Sequence, residues 1–308
     1  MKKRKWKSLL FGTYTKRGII PTILLYLLLI GISFIFLYPL MQMLIISLMG
    51  LEDLVDATVI WVPHKLAFSN YAKAAAALNF WKALGDSIIV ALAPSLAIIV
   101  SSSLIGYGFA KHNFPGKRLF MVTLLIVFLV PTVLVSIPTF VTYQSMGLIG
   151  SLRSFIYPAL TGFGLRQVIF ILIFYQFYRG VPQELIESAE IDGASSLTIF
   201  FKIAIPLSLP AFLISFLYSF VWYWNETGLA DMYLKDSYST LSTAVMQFKK
   251  LYEVLYPGGT VGLESANDVF NKGVQFAGTI LSIAPLLIIY FVTQKWFVES
   301  ADRSGITG

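Results

Sequence analysis

The sequence predicts an all-α polytopic membrane protein with six transmembrane helices, on three observations. Of the 308 residues, 57% are hydrophobic and only 13% are charged. The mean hydropathy is +0.75. A soluble chain has roughly twice that share of charged residues and could not cover so much apolar surface. The third observation is a series of long uncharged stretches, each sufficient to cross about 30 Å of hydrocarbon as a helix.

Six stretches can supply these helices. Five of them contain no Asp, Glu, Lys or Arg, namely 18–51, 87–110, 119–152, 203–225 and 273–294. A sixth, 154–178, contains a single charge at Arg166. Helices are expected because the bilayer offers no water to unpaired backbone groups. We therefore assign residues 18–297 to one membrane domain.

Prolines and glycines inside these stretches predict kinks and close helix contacts. Proline lacks the amide hydrogen that a helix interior uses, and glycine lets two helices approach closely. The positions are Pro39, Pro94, Pro131, Pro138, Gly106 and Gly108. Because proline is tolerated in membrane helices, these positions carry no functional assignment by themselves.

The distribution of basic residues predicts that both chain ends face the cytoplasm. Seven Lys or Arg residues lie in segment 1–17, before the first stretch. With that segment inside, the inside segments carry 14 Lys and Arg, including those around the tail 298–308, and the outside segments carry eight. This is the usual bias of membrane proteins. It explains the net charge of +7 without any nucleic-acid partner.

The residue types present exclude several kinds of site. Disulfides, iron–sulfur clusters and thiolate zinc sites need cysteine, which the chain lacks, and two histidines cannot form a multi-histidine metal centre. No G-x-x-x-x-G-K-[ST] motif occurs, so this chain cannot itself hydrolyse ATP by the P-loop route. We expect no cofactor or metal bound by this chain and no enzymatic activity.

Residues 179–205, between the fourth and fifth predicted spans, form the most informative segment. Pro182 suits the start of a helix, and Glu184 lies where the helix dipole favours a negative charge. Asp192-Gly193 predicts a stop and a turn, because glycine readily adopts a positive φ. The segment is therefore expected to be helix–turn–helix.

A second helix is predicted after this turn. Ser195 or Ser196 can cap it, and Pro206 is expected to end it at the membrane. Its predicted apolar face consists of Leu197, Phe200, Phe201 and Ala204. The segment also carries four acids, Glu184, Glu187, Glu190 and Asp192. They form either a solvated acidic face or, as the ordered turn favours, a docking surface for another protein.

This segment resembles a known motif. Residues 187–194 read Glu-Ser-Ala-Glu-Ile-Asp-Gly-Ala, and Ile205-Pro206 follows. The pattern is similar to the EAA motif of permease subunits of binding-protein-dependent ABC importers, which reads roughly EAA, three residues, G, nine residues, I-x-LP. Ser188 replaces the usual alanine, and Ile205 replaces the leucine before Pro206. The matched positions are Glu187, Ala189, Asp192, Gly193, Ala194, Ile205 and Pro206.

Further matches extend along nearly the whole chain. They resemble the carbohydrate-uptake branch of that family, in the subunit similar to the smaller maltose-type permease. They are Leu37-Tyr-Pro39, Ser47-Leu48, Asn70-Tyr71, residues 107–116, Pro131, Ile137-Pro138, Gly147-Leu148, Trp224-Asn225 and the tail 304–308. The resemblance implies a type I ABC importer fold in the bacterial plasma membrane.

The resemblance also implies partners. It implies a homologous second permease, an extracellular solute-binding protein that delivers a sugar, and a cytoplasmic ATPase dimer that holds ATP and Mg²⁺ and docks on the 179–205 segment. The chain would form half of the translocation pathway in the lipid bilayer. A side chain at Gly193 is expected to disturb the turn that seats in the ATPase.

Arg166 is the only charge inside a predicted span. An unpaired charge there is costly, so it either pairs with a group such as Glu226 or lines a cavity that binds hydroxyls or a carboxylate of a sugar. Trp222, Trp224 and Asn225 are further candidates for that cavity, although tryptophans near a span end also serve as interfacial anchors.

The long outer segment 228–272 mixes aromatic residues with Pro257-Gly-Gly259. A disordered linker contains fewer aromatic residues, so we expect it to fold over the pore mouth. Tyr256, Pro257 and Gly258 are the candidate contacts for the binding protein.

Two alternatives remain open. The chain could be an importer permease for a solute other than a sugar, or an intramembrane lipid-modifying enzyme. The enzyme needs reactive groups within the spans, which contain no H-E-x-x-H motif and no paired acids. A proton- or sodium-coupled carrier needs buried carboxylates, which the predicted spans also lack.

Overall fold

The computed structural model describes the backbone of residues 18–257 and 269–305, with side chains up to residue 295. The predicted basic segment 1–17 and the last residues of the tail lie outside the described part. Within the described ranges every regular element is a helix. The chain divides into two units, Met1–Ala74 with Tyr256–Ile280, and Ala75–Leu255 with Leu281–Gly308.

The helices are numbered here in chain order. They are α1 (Ile19–Ser47), α2 (Leu51–Val55), α3 (Ser69–Ala77), α4 (Phe80–Lys111), α5 (Lys117–Leu129), α6 (Thr132–Ser145), α7 (Arg153–Thr161), α8 (Gln167–Arg179), α9 (Gln183–Ile191), α10 (Ser196–Leu207), α11 (Leu209–Asn225), α12 (Gly228–Leu234), α13 (Leu241–Met246), α14 (Phe248–Leu255) and α15 (Lys272–Gly305).

Three of the described helices are long and apolar enough to cross a membrane unaided. They are α1, α4 and the part of α15 from Lys272 to Lys295. Two bent pairs, α5 with α6 and α10 with α11, raise the number to five if each pair forms one span. The all-helical fold with several apolar helices is thereby confirmed, whereas the count of six and the orientation of the termini stay predictions.

Two predicted spans are sharply bent. The axes of α5 and α6 differ by 99° across Val130-Pro131, which places the predicted proline kink there. The axes of α10 and α11 differ by 75° at Ser208. The helix α10 ends at Leu207, one residue beyond the predicted end at Pro206. The bend lies between Pro206 and Pro210, neither of which has an amide hydrogen for the helix ladder.

The predicted span 154–178 is not one helix. Gly162 ends α7 in the left-handed region with φ 93°, and the Phe163 amide donates to the Pro158 carbonyl at 2.8 Å. The next helix, α8, begins after Arg166, whose own φ is 50°. The link between them consists of residues 162–166. Arg166 therefore lies at a helix start and not inside a helix.

The predicted outer loop 228–272 is largely helical where it is described. It contains α12, α13 and α14, joined by a short 3-10 turn at Lys235–Ser237. Several of its apolar and aromatic residues are buried in the second unit: Tyr233, Leu234, Leu241, Ala244, Phe248 and Tyr252. The aromatic residues of this segment thus belong to packed helices, as expected for a segment that is not a disordered linker.

The second unit is built around α4, which packs against α7, α8, α11 and α13. Small side chains allow this close packing, because α4 buries a row of serines, Ser95, Ser101, Ser102 and Ser103. Gly106 extends the row to the closest contact with α8. Larger apolar side chains fill the core around it: Ile98, Phe155, Phe170, Phe220, Trp224 and Leu234.

The first unit has a compact polar centre. The Asn70 side-chain amide donates to the carbonyl oxygens of Ser47 and Met49 at 3.0 and 2.8 Å. The Tyr71 hydroxyl lies 2.7 Å from the Ser47 hydroxyl. A Cβ at Gly273 would lie 2.7 Å from the Asn70 amide nitrogen, so only glycine fits there. The Asn70-Tyr71 pair therefore closes the chain turn that follows α1.

Candidate functional site

The 179–205 segment forms the predicted helix–turn–helix. Pro182 precedes α9, and Asp192 follows its last residue. Gly193 adopts φ +82°, and the amides of Gly193 and Ala194 donate at 3.0 and 2.9 Å to carbonyl oxygens near the end of α9. A Cβ at Gly193 would meet nothing within 4 Å. The positive φ, and not lack of space within this chain, therefore favours glycine there.

Ser195 caps the second helix of the segment. Its hydroxyl accepts from the Thr198 amide at 3.3 Å, so the choice between Ser195 and Ser196 is settled in favour of the first. The helix then passes through a π turn at Phe200–Ala204. A π turn holds more residues than an α turn, so it shifts the positions that follow around the helix axis.

Burial along this second helix differs from the predicted apolar face. Ile199, Phe200 and Ala204 are buried, whereas Leu197 and Phe201 are exposed. The prediction was therefore wrong for Leu197 and Phe201. The exposed apolar side chains on the segment now include Leu185, Ile191, Leu197 and Phe201.

The surface of the segment is both acidic and apolar. Glu187, Asp192, Gly193 and Pro206 are exposed, and Ala189, Ala194 and Ile205 are half-buried. Among the described residues none of its four acids lies within 4 Å of a basic nitrogen. Ile191, which lies among these unpaired acids, is 87% exposed. A surface that only faces solvent would not be expected to expose such a large apolar side chain among its acids.

The segment is fixed to the membrane helices by buried contacts. The Lys111 ammonium at the end of α4 donates to the Val181 carbonyl at 2.7 Å. The Tyr178 ring on α8 lies 6.2 Å from the Phe200 ring of the segment, and the Tyr178 hydroxyl lies 2.6 Å from that of Ser103 on α4. Phe200 packs on Tyr107 with ring centroids 4.9 Å apart. The segment is therefore packed directly against α4 and α8.

A cavity opens between α6, the 162–166 link and the start of α12. It has two adjoining compartments of about 130 and 340 Å³, and both are lined by Thr132, Ser136, Leu165, Arg166 and Leu229. The smaller compartment adds three tyrosines, Tyr143, Tyr223 and Tyr233. The larger adds Glu226. The lining is thus rich in hydroxyl groups and aromatic rings around one guanidinium group.

Arg166 is exposed to this cavity. Its guanidinium carbon lies 5.1 Å from the ring centroid of Trp222, a cation–π contact. No carboxylate among the described residues lies within 4 Å of it, so the predicted ion pair with Glu226 is absent. Glu226 instead accepts from the Leu229 amide at 3.0 Å, at the start of α12.

Gln167, which the sequence analysis did not single out, holds Arg166 in place. Its amide nitrogen donates to the Ser101 hydroxyl at 2.6 Å and to the Ala159 carbonyl at 2.8 Å. Its amide oxygen accepts from the Gly164 amide at 2.6 Å. The residue is 1% exposed. An uncharged polar residue directly next to Arg166 was the available signal.

Three predicted cavity residues, Trp222, Trp224 and Asn225, are not among those that line the two compartments, although Trp222 contacts Arg166. Trp224 is 3% exposed and packs against Phe220, with ring centroids 5.7 Å apart. The Asn225 side chain donates to the Val221 carbonyl of its own helix at 2.9 Å. Successive residues on α11 point in different directions. Tyr223 faces the cavity instead, and its hydroxyl accepts from the Leu165 amide at 3.1 Å.

Tyr233 supplies a second hydroxyl group to the cavity, from α12. Its ring lies 5.2 Å from that of Tyr143. Burial raises the pKa of the Tyr233 hydroxyl, and the negative charge of Glu226 adds to the effect. The group therefore stays protonated at neutral pH and can donate a hydrogen bond.

The remaining predicted contacts are only partly described. Tyr256 is half-buried and Pro257 is exposed at the end of the described segment. Gly258 lies outside the described residues. Among the described residues no three His, Cys, Asp or Glu side chains are arranged to hold a metal ion.

Comparisons with known proteins give the family and the fold. Residues 102–303 match the family of binding-protein-dependent transport system inner membrane components. The chain is 29% identical over 289 residues to the polygalacturonan/rhamnogalacturonan transport system permease protein YtcP of Bacillus subtilis, covering 92% of this chain and 97% of that protein. It is 28% identical over 283 residues to the osmoprotective compounds uptake permease protein GgtD of Synechocystis, covering 87% and 86%.

A solved structure gives the same result at the level of the fold. A bacterial ABC transporter involved in the import of the acidic polysaccharide alginate superposes with a TM-score of 0.72 at 22% identity, covering 90% of this chain and 96% of that one. The family match spans more than half of the sequence, including the 179–205 segment and the cavity. The chain therefore belongs to the family of inner membrane permease components of binding-protein-dependent transport systems.

Proposed function

We propose that this chain is the permease subunit of an ATP-driven oligosaccharide importer and that it couples to a cytoplasmic ATPase through residues 179–205. The observation that carries the proposal is the geometry of that segment. It presents an exposed turn with positive φ at Gly193, flanked by unpaired acids and exposed apolar side chains. Such a surface is complementary to a groove with basic and apolar groups on a partner protein.

The coupling would run from the segment into the membrane helices. An ATPase dimer that binds ATP and Mg²⁺ supplies the energy by closing, and this chain supplies no part of that chemistry. Lys111, Tyr178 and Phe200 join the segment to α4 and α8. A rigid shift of the segment would therefore tilt these helices between two arrangements, which is alternating access to the pathway.

The proposed assembly has four kinds of component besides the sugar. This chain forms half of the pathway, a homologous permease forms the other half, an ATPase dimer binds inside, and a solute-binding protein docks outside near Tyr256 and Pro257. The exposed apolar side chains along α1 suit the lipid bilayer of the bacterial plasma membrane or the second permease.

Six spans with both termini in the cytoplasm complete the proposal. The five spans supported by helix length and bending leave α7 and α8, which have nine and 13 residues. A pair broken at 162–166 can serve as a sixth span, because the break faces a cavity where water can satisfy the backbone. The basic residues favour this orientation.

A sugar is the favoured solute. Hydroxyl groups of Thr132, Ser136, Tyr223 and Tyr233 line the cavity together with aromatic rings that can stack on sugar faces. The relative YtcP is named for a polysaccharide. The relative GgtD is named for osmoprotective compounds, so a compatible solute is the second candidate.

Reconstitution of the assembled transporter in lipid vesicles tests the proposal. The chain, the second permease and the ATPase are co-expressed and purified through a tag on this chain, and the binding protein is added outside. The proposal predicts accumulation of oligosaccharides that requires both hydrolysable ATP and the binding protein. An intramembrane enzyme would purify without an ATPase, and that result would contradict the proposal.

A further inference from the structure

The starting point is a positive charge that this chain does not neutralise. Arg166 lies in a segment that the sequence places within the membrane, and no described carboxylate lies within 4 Å of its guanidinium group. A bare charge in hydrocarbon is strongly unfavourable, so such residues face water, a polar partner or a ligand. The cavity beside Arg166 provides the polar side.

The guanidinium group is held in a defined position. Arg166 has a left-handed backbone with φ 50°, and the buried side chain of Gln167 fixes the link that precedes it. Trp222 packs against the guanidinium group at 5.1 Å. A cation–π contact occupies a face of the planar group and leaves its N–H edges available. Two parallel N–H groups match the two oxygens of a carboxylate.

Glu226 lines the same cavity without cancelling this charge. It is more than 4 Å from the guanidinium nitrogens, and one of its oxygens is used by the Leu229 amide. Its carboxylate, as part of the lining of the larger compartment, can accept hydrogen bonds from sugar hydroxyls. The cavity therefore combines one anion-binding group, one acceptor and several neutral hydroxyls.

We propose that Arg166 forms a carboxylate-binding subsite for acidic sugars, such as uronate residues, that pass through this cavity. The proposal rests on the proposed function, because it assigns a substrate class to the same pathway. The guanidinium group binds the carboxylate through paired hydrogen bonds, Trp222 keeps that group in place, and the hydroxyl groups of Thr132, Ser136 and Tyr223 contact the rest of the ring. The binding strength comes from charge, so a neutral ester of the same sugar is bound less well.

The test uses the reconstituted transporter with trigalacturonate and its methyl triester, two sugars that differ in the carboxyl charge and the added methyl groups. Uptake by the wild type is compared with uptake by Arg166→Gln, Arg166→Lys and the matched control Arg153→Gln. Arg153 is exposed, bonds to the Ser151 hydroxyl at 3.2 Å and does not line the cavity. The same binding protein is used throughout, so its own preference is constant among the variants.

We expect Arg166→Gln to lower trigalacturonate uptake by about tenfold or more, as for the loss of a charge-assisted hydrogen bond, and to change ester uptake by less than about twofold. Arg166→Lys should be intermediate, because it keeps the charge and loses the paired geometry. Arg153→Gln should match the wild type. Uptake is normalised to the assembled complex, which removes any loss of folding.

Three results would overturn the proposal. They are an equal loss for both sugars in Arg166→Gln, unchanged trigalacturonate uptake in that variant, and a wild type that imports neutral oligosaccharides while rejecting trigalacturonate. A wild type that accumulates no oligosaccharide with ATP contradicts the proposed function instead. The two failures are therefore distinguishable.

Discussion

At the scale of single residues, the contact between α4 and α8 depends on a missing side chain. A Cβ at Gly106 would lie 2.7 Å from the Phe174 Cβ and 2.9 Å from the Tyr175 backbone nitrogen. Two residues further along the same helix, a Cβ at Gly108 would meet nothing within 4 Å. The sequence predicted close approaches at both glycines, and the structure distinguishes them because only Gly106 faces α8.

We predict that Gly106→Ala destabilises the protein by about 1–3 kcal/mol, since the backbone of α8 must move to accept the new methyl group. Gly108→Ala is the matched control. It should be neutral or slightly stabilising, because alanine favours the helix over glycine by about 1 kcal/mol. Thermal unfolding in detergent, followed by circular dichroism, measures both. Equal stability of the two variants would contradict the assigned contact.

A second residue-scale feature is an ion pair in the first unit. The buried carboxylate of Asp53 lies 2.7 Å from Nδ1 of His64, whose side chain is 72% exposed. This hydrogen bond, together with the charge of Asp53, raises the pKa of His64. The same bond lowers the pKa of Asp53.

The sign of the pH effect follows from these shifts. A raised histidine pKa contributes stability that is complete below the unfolded value of about 6.5 and is lost as pH rises through the folded value. The lowered Asp53 pKa contributes stability that is lost only when pH falls through that value. The melting temperature of the wild type should therefore exceed that of His64→Gln by the largest margin at pH values above the pKa of Asp53 and below the unfolded pKa of histidine. The difference should shrink at alkaline pH, and a pH-independent difference would contradict the pair.

A double-mutant comparison isolates the interaction. Asp53→Asn removes the charge, and His64→Gln in that background should cause little further loss of stability at pH 6. If the two losses simply add, the residues do not interact and the pH effect has another origin.

At the scale of elements, the link 162–166 shows how a buried polar group shapes the cavity. Gln167 bonds to α4 through the Ser101 hydroxyl, to α7 through the Ala159 carbonyl and to the link through the Gly164 amide. A Cβ at Gly164 would lie 3.0 Å from the Ala159 Cα, so the link has little room to move. The position of Arg166 therefore follows from its neighbour.

We predict that Gln167→Leu destabilises the protein by about 1–3 kcal/mol for each buried group left without a partner. The matched control is Gln176→Leu, on the same helix with an exposed side chain. Urea or thermal unfolding in detergent measures the difference. Gln167→Leu should also lower uptake per assembled complex, because Arg166 loses its support. A Gln167 variant as stable as the control would refute this role.

The elements also show which features the sequence could predict. The turn of the 179–205 segment was predictable because Asp192-Gly193 and Ser195 act through local backbone geometry. The bend at Pro131 was predictable for the same reason. The exposure of Leu197 and Phe201 was not, because it depends on which side of the helix packs against α4 and α8, and that side holds Ile199, Phe200 and Ala204. The burial of Trp224 likewise depends on Phe220 and on distant helices.

The candidate cavity likewise has one feature that the sequence could predict and others that it could not. Its charge could be found from the sequence, because Arg166 interrupts an apolar stretch. Its tyrosines could not, because Tyr143, Tyr223 and Tyr233 lie on three different helices and meet only when α6, α11 and α12 pack together. Aromatic residues near span ends are common, so composition alone does not tell which of them face a cavity.

At the scale of the whole molecule, the second unit contains both the 179–205 segment and the cavity. The helices α4 and α8 contact the segment through Lys111, which bonds to Val181, and Tyr178, whose ring packs near Phe200, and α8 begins beside Arg166 at the cavity. The single helix α8 thus connects the 179–205 segment with the cavity. We infer that ATP-driven movement of the segment changes access to the cavity by moving α8, which is consistent with an importer that cycles between two states.

The central claim is that residues 179–205 dock an ATPase, and retention of the ATPase by Gly193→Asp tests it most directly. Aspartate tolerates a positive φ better than most residues, and a side chain there has open space, so the fold should survive. Gly147→Asp is the matched control, with φ +65° and open space outside the segment. Gly193→Asp should retain about tenfold less ATPase during purification, at unchanged yield of folded permease, and Gly147→Asp should retain it fully. Full retention of the ATPase and normal uptake by Gly193→Asp would contradict the account.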